Sequence, residues 1–455
     1  MKRCLYLSLI FTLVMLLTGL LASPTYAGSL YETVPGNSHI VLFNNAAPRD
    51  FQTRVEALGG TVDFTHPIGI AIVRGLSEEA ASELGRLRGV QSVQESGYFA
   101  FDPGMLAGDP IAVDTLPASP ADPTLAARYA WQWNMRAIDA DDAWAAGRLG
   151  SPAVTVAILD TGIDYTYPDL NGLVDLSRSI SFIPEDDALV DTYFPGREYF
   201  TDLYFHGTHV AATVASNSLI AAGVTTQTTL MAVKVCGVDG SCPGEAIVQG
   251  ILHAVDNGAD VINMSLGGYF YKNEYPGEVA FINKLFTYAN RKGVVIVVSA
   301  GNDGIDMDHN YSMFNTYCDA TNVICVSATG PTYADDIYVG PWYEIDAPAS
   351  YTNYGRSAIS VAAPGGNDGG YVWAACSTTS LVIPACQTGY YIVGAAGTSM
   401  TAPHVSGLAA LVVEDVGRKP AQVRNAITKG ADDLGQPGTD PFYGKGRINV
   451  YNTVK

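Results

Sequence analysis

Charge is scarce in this chain of 455 residues: 15% of them are charged, and acids outnumber bases 45 to 25. The formal net charge of −20 repels phosphate backbones and anionic headgroups, so neither nucleic acid nor a lipid surface is expected as a partner. Histidine is rarer still, with seven residues, so candidate proton-transfer bases are few. Asp-Thr-Gly occurs once, at Asp160, whereas an aspartic protease needs two such carboxylates sharing a proton. No Cys-x-x-Cys spacing occurs, which disfavours a zinc cluster. There is no internal repeat and no low-complexity tract. One apolar run, at the amino terminus, approaches membrane-spanning length, and no later stretch does.

Hydrophobic residues make up 48% of the chain, enough for a sizeable core. Lys2 and Arg3 precede an apolar run from Leu5 to about Ala22, followed by small residues. This pattern is expected of a secretory signal peptide, cleaved after Ala27 or, second, after Ala22. An uncleaved anchor is the competing reading. Without Cys4 six cysteines remain, an even number that suits an oxidising, extracellular compartment. Six cysteines allow fifteen connectivities. The preferred one joins near neighbours: Cys236 with Cys242, Cys318 with Cys325, Cys376 with Cys386.

Four segments follow from the texture of the chain. Residues 1–27 are the expected signal. Residues 28–96 read as strand, helix, strand, strand, helix, strand, a small ferredoxin-like α+β unit. Residues 97–128 hold Pro103, Pro110, Pro117, Pro120 and Pro123 and read as an exposed, easily cut linker. From Tyr129 to Lys455 short apolar strands alternate with helical stretches, the signature of an α/β fold with a largely parallel sheet flanked by helices.

Three places in that last segment carry chemistry. The apolar strand Val156–Leu159 ends on Asp160, and functional groups gather at the carboxyl ends of strands in such sheets. His206-Gly-Thr-His209-Val-Ala starts a helix. Its two histidines lack the Glu and the spacing of a zinc protease, so His206 faces a cleft and His209 is structural. Gly397-Thr-Ser399-Met-Thr-Ala-Pro403-His brings a serine to a helix start. Thr401 breaks the Gly-x-Ser-x-Gly elbow of the α/β-hydrolases. Pro403 is expected in the first turn, where N–H groups have no helical partner. A lone serine there would be an ordinary cap. With an aspartate and a histidine in the order Asp160, His206, Ser399, it reads as an activated nucleophile.

These motifs resemble the subtilisin-like serine protease family, subtilases. Val261-Ile-Asn-Met-Ser265-Leu266-Gly267-Gly268 resembles the family's substrate-pairing strand, Ser299-Ala-Gly-Asn302 its oxyanion segment, and Tyr443-Gly-Lys-Gly-Arg-Ile-Asn-Val450 its carboxyl-terminal signature. The resemblance spans about Tyr129 to Lys455. It implies a secreted serine endopeptidase acting on peptides and proteins, with Asp160, His206 and Ser399 as triad, Asn302 in the oxyanion hole, and Ser265, Leu266 and Gly267 binding substrate. It implies no cofactor for catalysis and a monomer. Residues 28–96 are similar in pattern to the family's inhibitory propeptide, which acts on its own enzyme. A structural calcium is also implied. Asp169 matches a family ligand position and Gln132 another, although the ligand loop at 216–223 is shortened. The stretch from Asp160 to His206 is long for the family. Its Glu185-Asp186-Asp187 is a second acidic candidate for shaping the cleft or binding calcium.

Overall fold

The structure is a computed structural model that describes residues 32–33, 38–100, 102, 104–116, 122–275, 277–310 and 312–455. The expected signal segment lies outside the described residues.

Residues 38–95 run β2 (Ser38–Phe43), α1 (Phe51–Ala57), β3 (Thr61–His66), β4 (Ile70–Arg74), α2 (Glu78–Gly85) and β5 (Val90–Glu95), after a short β1 (Glu32–Thr33). The four longer strands form an antiparallel sheet in the order β3-β4-β2-β5. Every residue of β2 is buried. Alternation explains it: Val41 and Phe43 pack under α1 and α2, while Ile40 and Leu42 join a core shared with the rest of the molecule. Both sheet faces are therefore covered, and the strand is apolar throughout.

The stretch read as an exposed linker departs from that expectation. It carries β6 (Gly97–Ala100), β7 (Met105–Leu106) and β8 (Ile111–Ala112), and Phe99 and Val113 within it are buried. Two short 3₁₀ turns, Pro123–Leu125 and Tyr129–Trp131, lead into the main body.

The main body comprises α3 (Trp133–Ala137), α4 (Ala140–Ala145), β9 (Thr155–Asp160), β10 (Ile180–Ser181), α5 (Pro184–Tyr193), α6 (His206–Val214), β11 (Thr229–Lys234), β12 (Ser241–Pro243), α7 (Gly244–Asp256), β13 (Val261–Met264), β14 (Gly268–Tyr271), α8 (Glu278–Arg291), β15 (Val295–Ser299), β16 (Met313–Thr316) and β17 (Val323–Thr329). There follow the hairpin β18 (Tyr333–Ala334) and β19 (Trp342–Tyr343), then β20 (Val361–Pro364), β21 (Val372–Ala375), β22 (Tyr391–Ala396), α9 (Thr398–Val416), α10 (Pro420–Gly430) and α11 (Val450–Val454). Seven strands form one parallel sheet in the order β10-β11-β9-β13-β15-β17-β20. Successive residues feed opposite cores. Val156 and Ile158 pack with α6 and α9; Ala157 and Leu159 pack with α7 and α8. The fold is α/β, with the parallel sheet flanked by helices on both faces.

Three disulfides join Cys236 to Cys242, Cys318 to Cys325 and Cys376 to Cys386, the near-neighbour connectivity. No helix among the described residues is long and apolar enough to cross a membrane.

Candidate active site

β9 ends at Asp160, which is fully buried. Its Oδ1 accepts from the Thr161 N–H at 2.8 Å and pairs with His206 Nδ1 at 2.8 Å. A carboxylate on Nδ1 keeps the proton on that nitrogen and leaves Nε2 as the basic one. His206 opens α6 and is fully buried.

A second carboxylate, absent from the sequence reading, holds this pair in register. Asp202 Oδ1 accepts from Thr161 Oγ1 at 2.9 Å and from Tyr204 N–H at 2.9 Å. Its Oδ2 accepts from Thr208 N–H at 2.9 Å and from Thr208 Oγ1 at 2.6 Å. Thr161 follows Asp160, and its hydroxyl also accepts from Gly207 N–H at 3.0 Å. Asp202 thus ties the end of β9 to the start of α6. Burial raises its pKa while the threonine donors lower it. In the sequence it is one of many loop aspartates, and its partners lie on two other elements.

Ser399 lies in the first turn of α9, behind Gly397. Its Oγ donates to the Ser265 carbonyl at 3.2 Å, and Ser265 Oγ donates to the Ser399 carbonyl at 2.7 Å. The helix starts at Thr398, so Pro403 falls in its second turn and not, as expected, its first. Proline has no N–H to bond the carbonyl four residues back, which is that of Ser399. Ser265 supplies the missing donor. Asn263 Nδ2 donates to Ser265 Oγ at 3.0 Å, and Ser406 Oγ to Asn263 Oδ1 at 2.9 Å, so the segment between β13 and β14 that bears Ser265, Leu266 and Gly267 is locked to α9.

Asn302 follows β15. Its Oδ1 accepts from Thr398 N–H at 2.8 Å and Thr398 Oγ1 at 2.9 Å. Those bonds turn Nδ2 outward, where it donates to Asp102 Oδ2 at 2.7 Å. Gly301 makes the turn with φ +100; a Cβ there would meet Asn353 Nδ2 at 2.4 Å. Asn353 accepts from Asp303 and Ile305 N–H at 3.0 and 2.9 Å and so shapes the Asn302 loop. The other two histidines of the motifs are structural. His209 Nε2 meets the Val372 carbonyl at 3.0 Å, and burial lowers its pKa to about 3. His404 Nε2 meets Asn134 Nδ2 at 2.8 Å, with its pKa lowered by burial to about 4.

The expected calcium ligands do not fit a cation. Asp169 is buried and accepts three amides, Leu219 and Ile220 N–H on Oδ1 at 2.8 and 2.9 Å and Ala221 N–H on Oδ2 at 3.0 Å. Gln132 Oε1 accepts from Ala222 N–H at 2.8 Å, and its Nε2 donates to the Ala222 carbonyl at 2.8 Å. The shortened loop turns amide hydrogens onto the Asp169 carboxylate and the Gln132 side-chain oxygen, and its one carbonyl facing Gln132, that of Ala222, is taken by Gln132 Nε2. Hard cations need oxygen donors, so this place suits none. The acidic stretch of α5 also has a partner: Asp186 pairs with buried Lys234 at 2.7 Å. Among the described residues no three acidic, histidine or cysteine side chains gather as a metal site would require.

The model of the Subtilase family matches residues 151–446. The thermophilic serine proteinase of Bacillus sp. (strain AK1) is 34% identical over 317 residues, 69% of this chain and 64% of that protein. Thermitase of Thermoactinomyces vulgaris is 32% identical over 340 residues, 74% of this chain and 99% of thermitase. The chain thus spans a little under two thirds of the first relative and nearly all of the second. Among solved structures, the epidermin leader peptide processing serine protease of Staphylococcus aureus superposes with a TM-score of 0.67 at 20% identity, covering 92% of this chain and 98% of that one. Fervidolysin of Fervidobacterium pennivorans gives a TM-score of 0.64 at 24% identity, over 94% and 63%. These two speak for the fold alone. The chain belongs to the subtilase family. It is a subtilisin-like serine endopeptidase, and its substrates are peptides or proteins.

Proposed function

We propose that the chain is a secreted endopeptidase that cuts peptide bonds through an acyl-enzyme on Ser399, with His206 as base and Asp160 as its orienting carboxylate. The observation that carries this reading is the buried 2.8 Å pair of His206 Nδ1 and Asp160, on a helix, α6, that packs against α9, in whose first turn Ser399 lies. The Ser399 hydroxyl leaves the Ser265 carbonyl and passes its proton to His206 as it attacks the substrate carbonyl. His206 then gives the proton to the departing amine. Asn302 Nδ2 and the Ser399 N–H receive the oxyanion; losing one such donor costs about 10²–10³ in turnover, a magnitude established on a subtilisin. Ser265, Leu266 and Gly267 present backbone groups to an extended substrate, which binds as an added strand.

Residues 28–96 act as propeptide, helping the enzyme fold and inhibiting it until the chain is cut within 97–128. Their sheet rests on α7 and α8 through a His66–Asp256 contact at 2.8 Å, a hydrogen bond from Ser96 to Glu245, and one from Lys284 Nζ to the Phe43 carbonyl at 2.5 Å. The amino-terminal pattern supports export, and in this reading the enzyme acts as a monomer without a catalytic cofactor. The test is expression of the full chain beside Ser399→Ala, following intact mass and casein hydrolysis. Wild type should shorten and cut casein, and the variant should do neither. Identical behaviour of the two would remove Ser399 as nucleophile and leave a silent, peptide-binding homologue.

A further inference from the structure

The chain's own strands show how an extended peptide can be laid beside the site. β6 runs antiparallel to the short edge strand β12, with Tyr98 opposite Pro243, Phe99 opposite Cys242 and Ala100 opposite Ser241. The Cys236–Cys242 disulfide pins that edge. Asp102 then meets Asn302 Nδ2 at 2.7 Å. Farther along, β7 and β8 run antiparallel to β22, the strand that leads into Gly397 and Ser399. Successive side chains of a strand point to opposite sides. Phe99 is accordingly buried while Tyr98 and Ala100 are less so. It enters a cavity between α7 and α8 and meets Tyr317 edge-on, with 6.4 Å between ring centroids. Leu266, in the segment proposed to pair with substrate, belongs to the same cluster of side chains.

The walls of this cavity are apolar, with Ile247 of α7, Phe270 of β14, and Phe281 and Leu285 of α8. Glu278 is the exception. It is 6% exposed, and its Oε1 has no hydrogen-bond partner among the described residues. No other charged side chain lines the cavity, and Tyr317 is the one further titratable group there. The charged groups of the two helices that lie nearest are engaged elsewhere: Glu245 bonds Ser96, and Lys284 donates to the Phe43 carbonyl. A carboxyl buried without a partner destabilises a fold. A residue needed only to fill this space would be apolar.

We propose that Glu278 selects substrate: the cavity takes the side chain that a bound peptide carries at the place of Phe99, and it prefers a basic one there, arginine or lysine, whose charged head meets the Glu278 carboxylate. The inference deepens the endopeptidase reading above and rests on it. Phe99 covers the apolar walls and leaves the carboxyl unpaired. An arginine lays its methylene stem along the same walls and offers its guanidinium donors to the carboxylate oxygens. Apolar surroundings strengthen that pair, and the cost of taking two charges out of water offsets part of the gain. Phe99 stands three residues before Asp102, whose carboxylate touches the proposed oxyanion donor, so the basic residue is expected at the third or fourth position before the cut bond.

The test uses active enzyme obtained from the full chain, its sites counted by fluorophosphonate labelling of Ser399. The assay is run at alkaline pH, because burial pushes the Glu278 pKa up to about 7. Peptides of one sequence carry arginine, lysine, norleucine, phenylalanine or glutamate in turn at each position before the cut. At the third or fourth position, kcat/KM for arginine should exceed that for norleucine at least roughly tenfold, and glutamate should be poorest. In Glu278→Gln the arginine-to-norleucine ratio at that position should fall to near one. Glu278→Asp, which keeps the charge on a shorter stem, should retain part of the preference. A wild-type profile that favours norleucine or phenylalanine over arginine at both positions overturns the proposal without any variant. So does an arginine preference that survives Glu278→Gln. Enzyme that takes the label and cuts these peptides without the preference overturns this inference alone. A chain that neither takes the label nor cuts any of them overturns the endopeptidase reading with it.

Discussion

Asp160 and His206 meet through one hydrogen bond, but what holds that bond straight is Asp202. Its four donors come from Thr161, Tyr204 and Thr208, residues that flank the pair in sequence or in space. A buried donor left without its acceptor costs about 1–3 kcal/mol. Asp202→Asn keeps the shape but sets an NH₂ group against one of those donors. Its kcat should fall roughly ten- to hundredfold with KM little changed, and the acid limb of the kcat/KM profile should move because His206 is reoriented. Steady-state kinetics across pH checks this. A loss confined to thermal stability, with an unmoved pH profile, would make Asp202 a packing residue only. Reading the motifs exposes the candidate reacting groups, since each sits in a recognisable local setting. It does not expose Asp202, whose role depends on two elements meeting it from outside its own loop.

At the scale of the element, α8 shows a pattern with a cost. Its first residue, Glu278, is buried among Phe99, Ile247, Phe270, Phe281 and Tyr317, and its Oε1 has no hydrogen-bond partner among the described residues. Burial pushes its pKa up from 4.5 to about 7. The folded protein therefore holds a proton that the unfolded chain releases. Glu278's contribution to stability is fully present below pH 4.5, and it is lost as pH rises through about 7. The Ser399→Ala full chain, which does not cut itself, should melt at lower temperature at pH 8 than at pH 5. Glu278→Gln should flatten that slope. Calorimetry of the two proteins across this range decides it; parallel slopes would show that other groups carry the pH dependence. Ile40 of the amino-terminal unit and Phe99 of β6 both line this place, so part of the burial comes from segments the sequence presents as separate.

At the scale of the molecule, amides hold the loop that the family resemblance assigned to calcium. Three N–H groups on Asp169 and one on Gln132 close it. Chelation should leave the melting temperature of the Ser399→Ala chain unchanged, while Asp169→Ala should lower stability by about 2–5 kcal/mol by leaving buried amides unpaired. A fall of the melting temperature on chelation, reversed by added calcium, would place a cation elsewhere in the chain. The prolines of 97–128 likewise announce a linker by composition. Yet three short strands form there, because β12 and β22 offer unpaired edges and the intervening residues are spaced to reach both.

The sequence alone determined the alternation of strand and helix and the parallel sheet, and it singled out the serine, histidine, aspartate and asparagine of the candidate site. Each is written in local periodicity or in a short motif, because a few adjacent residues suffice to specify it. Tertiary structure decided the rest: the clamp of Asp202, the amides in place of calcium, Pro403 releasing a carbonyl to Ser265, and the passage of Asp102 across Asn302. Each depends on which distant edge or donor comes within hydrogen-bond reach, and that distance is set by packing rather than by neighbours in the chain.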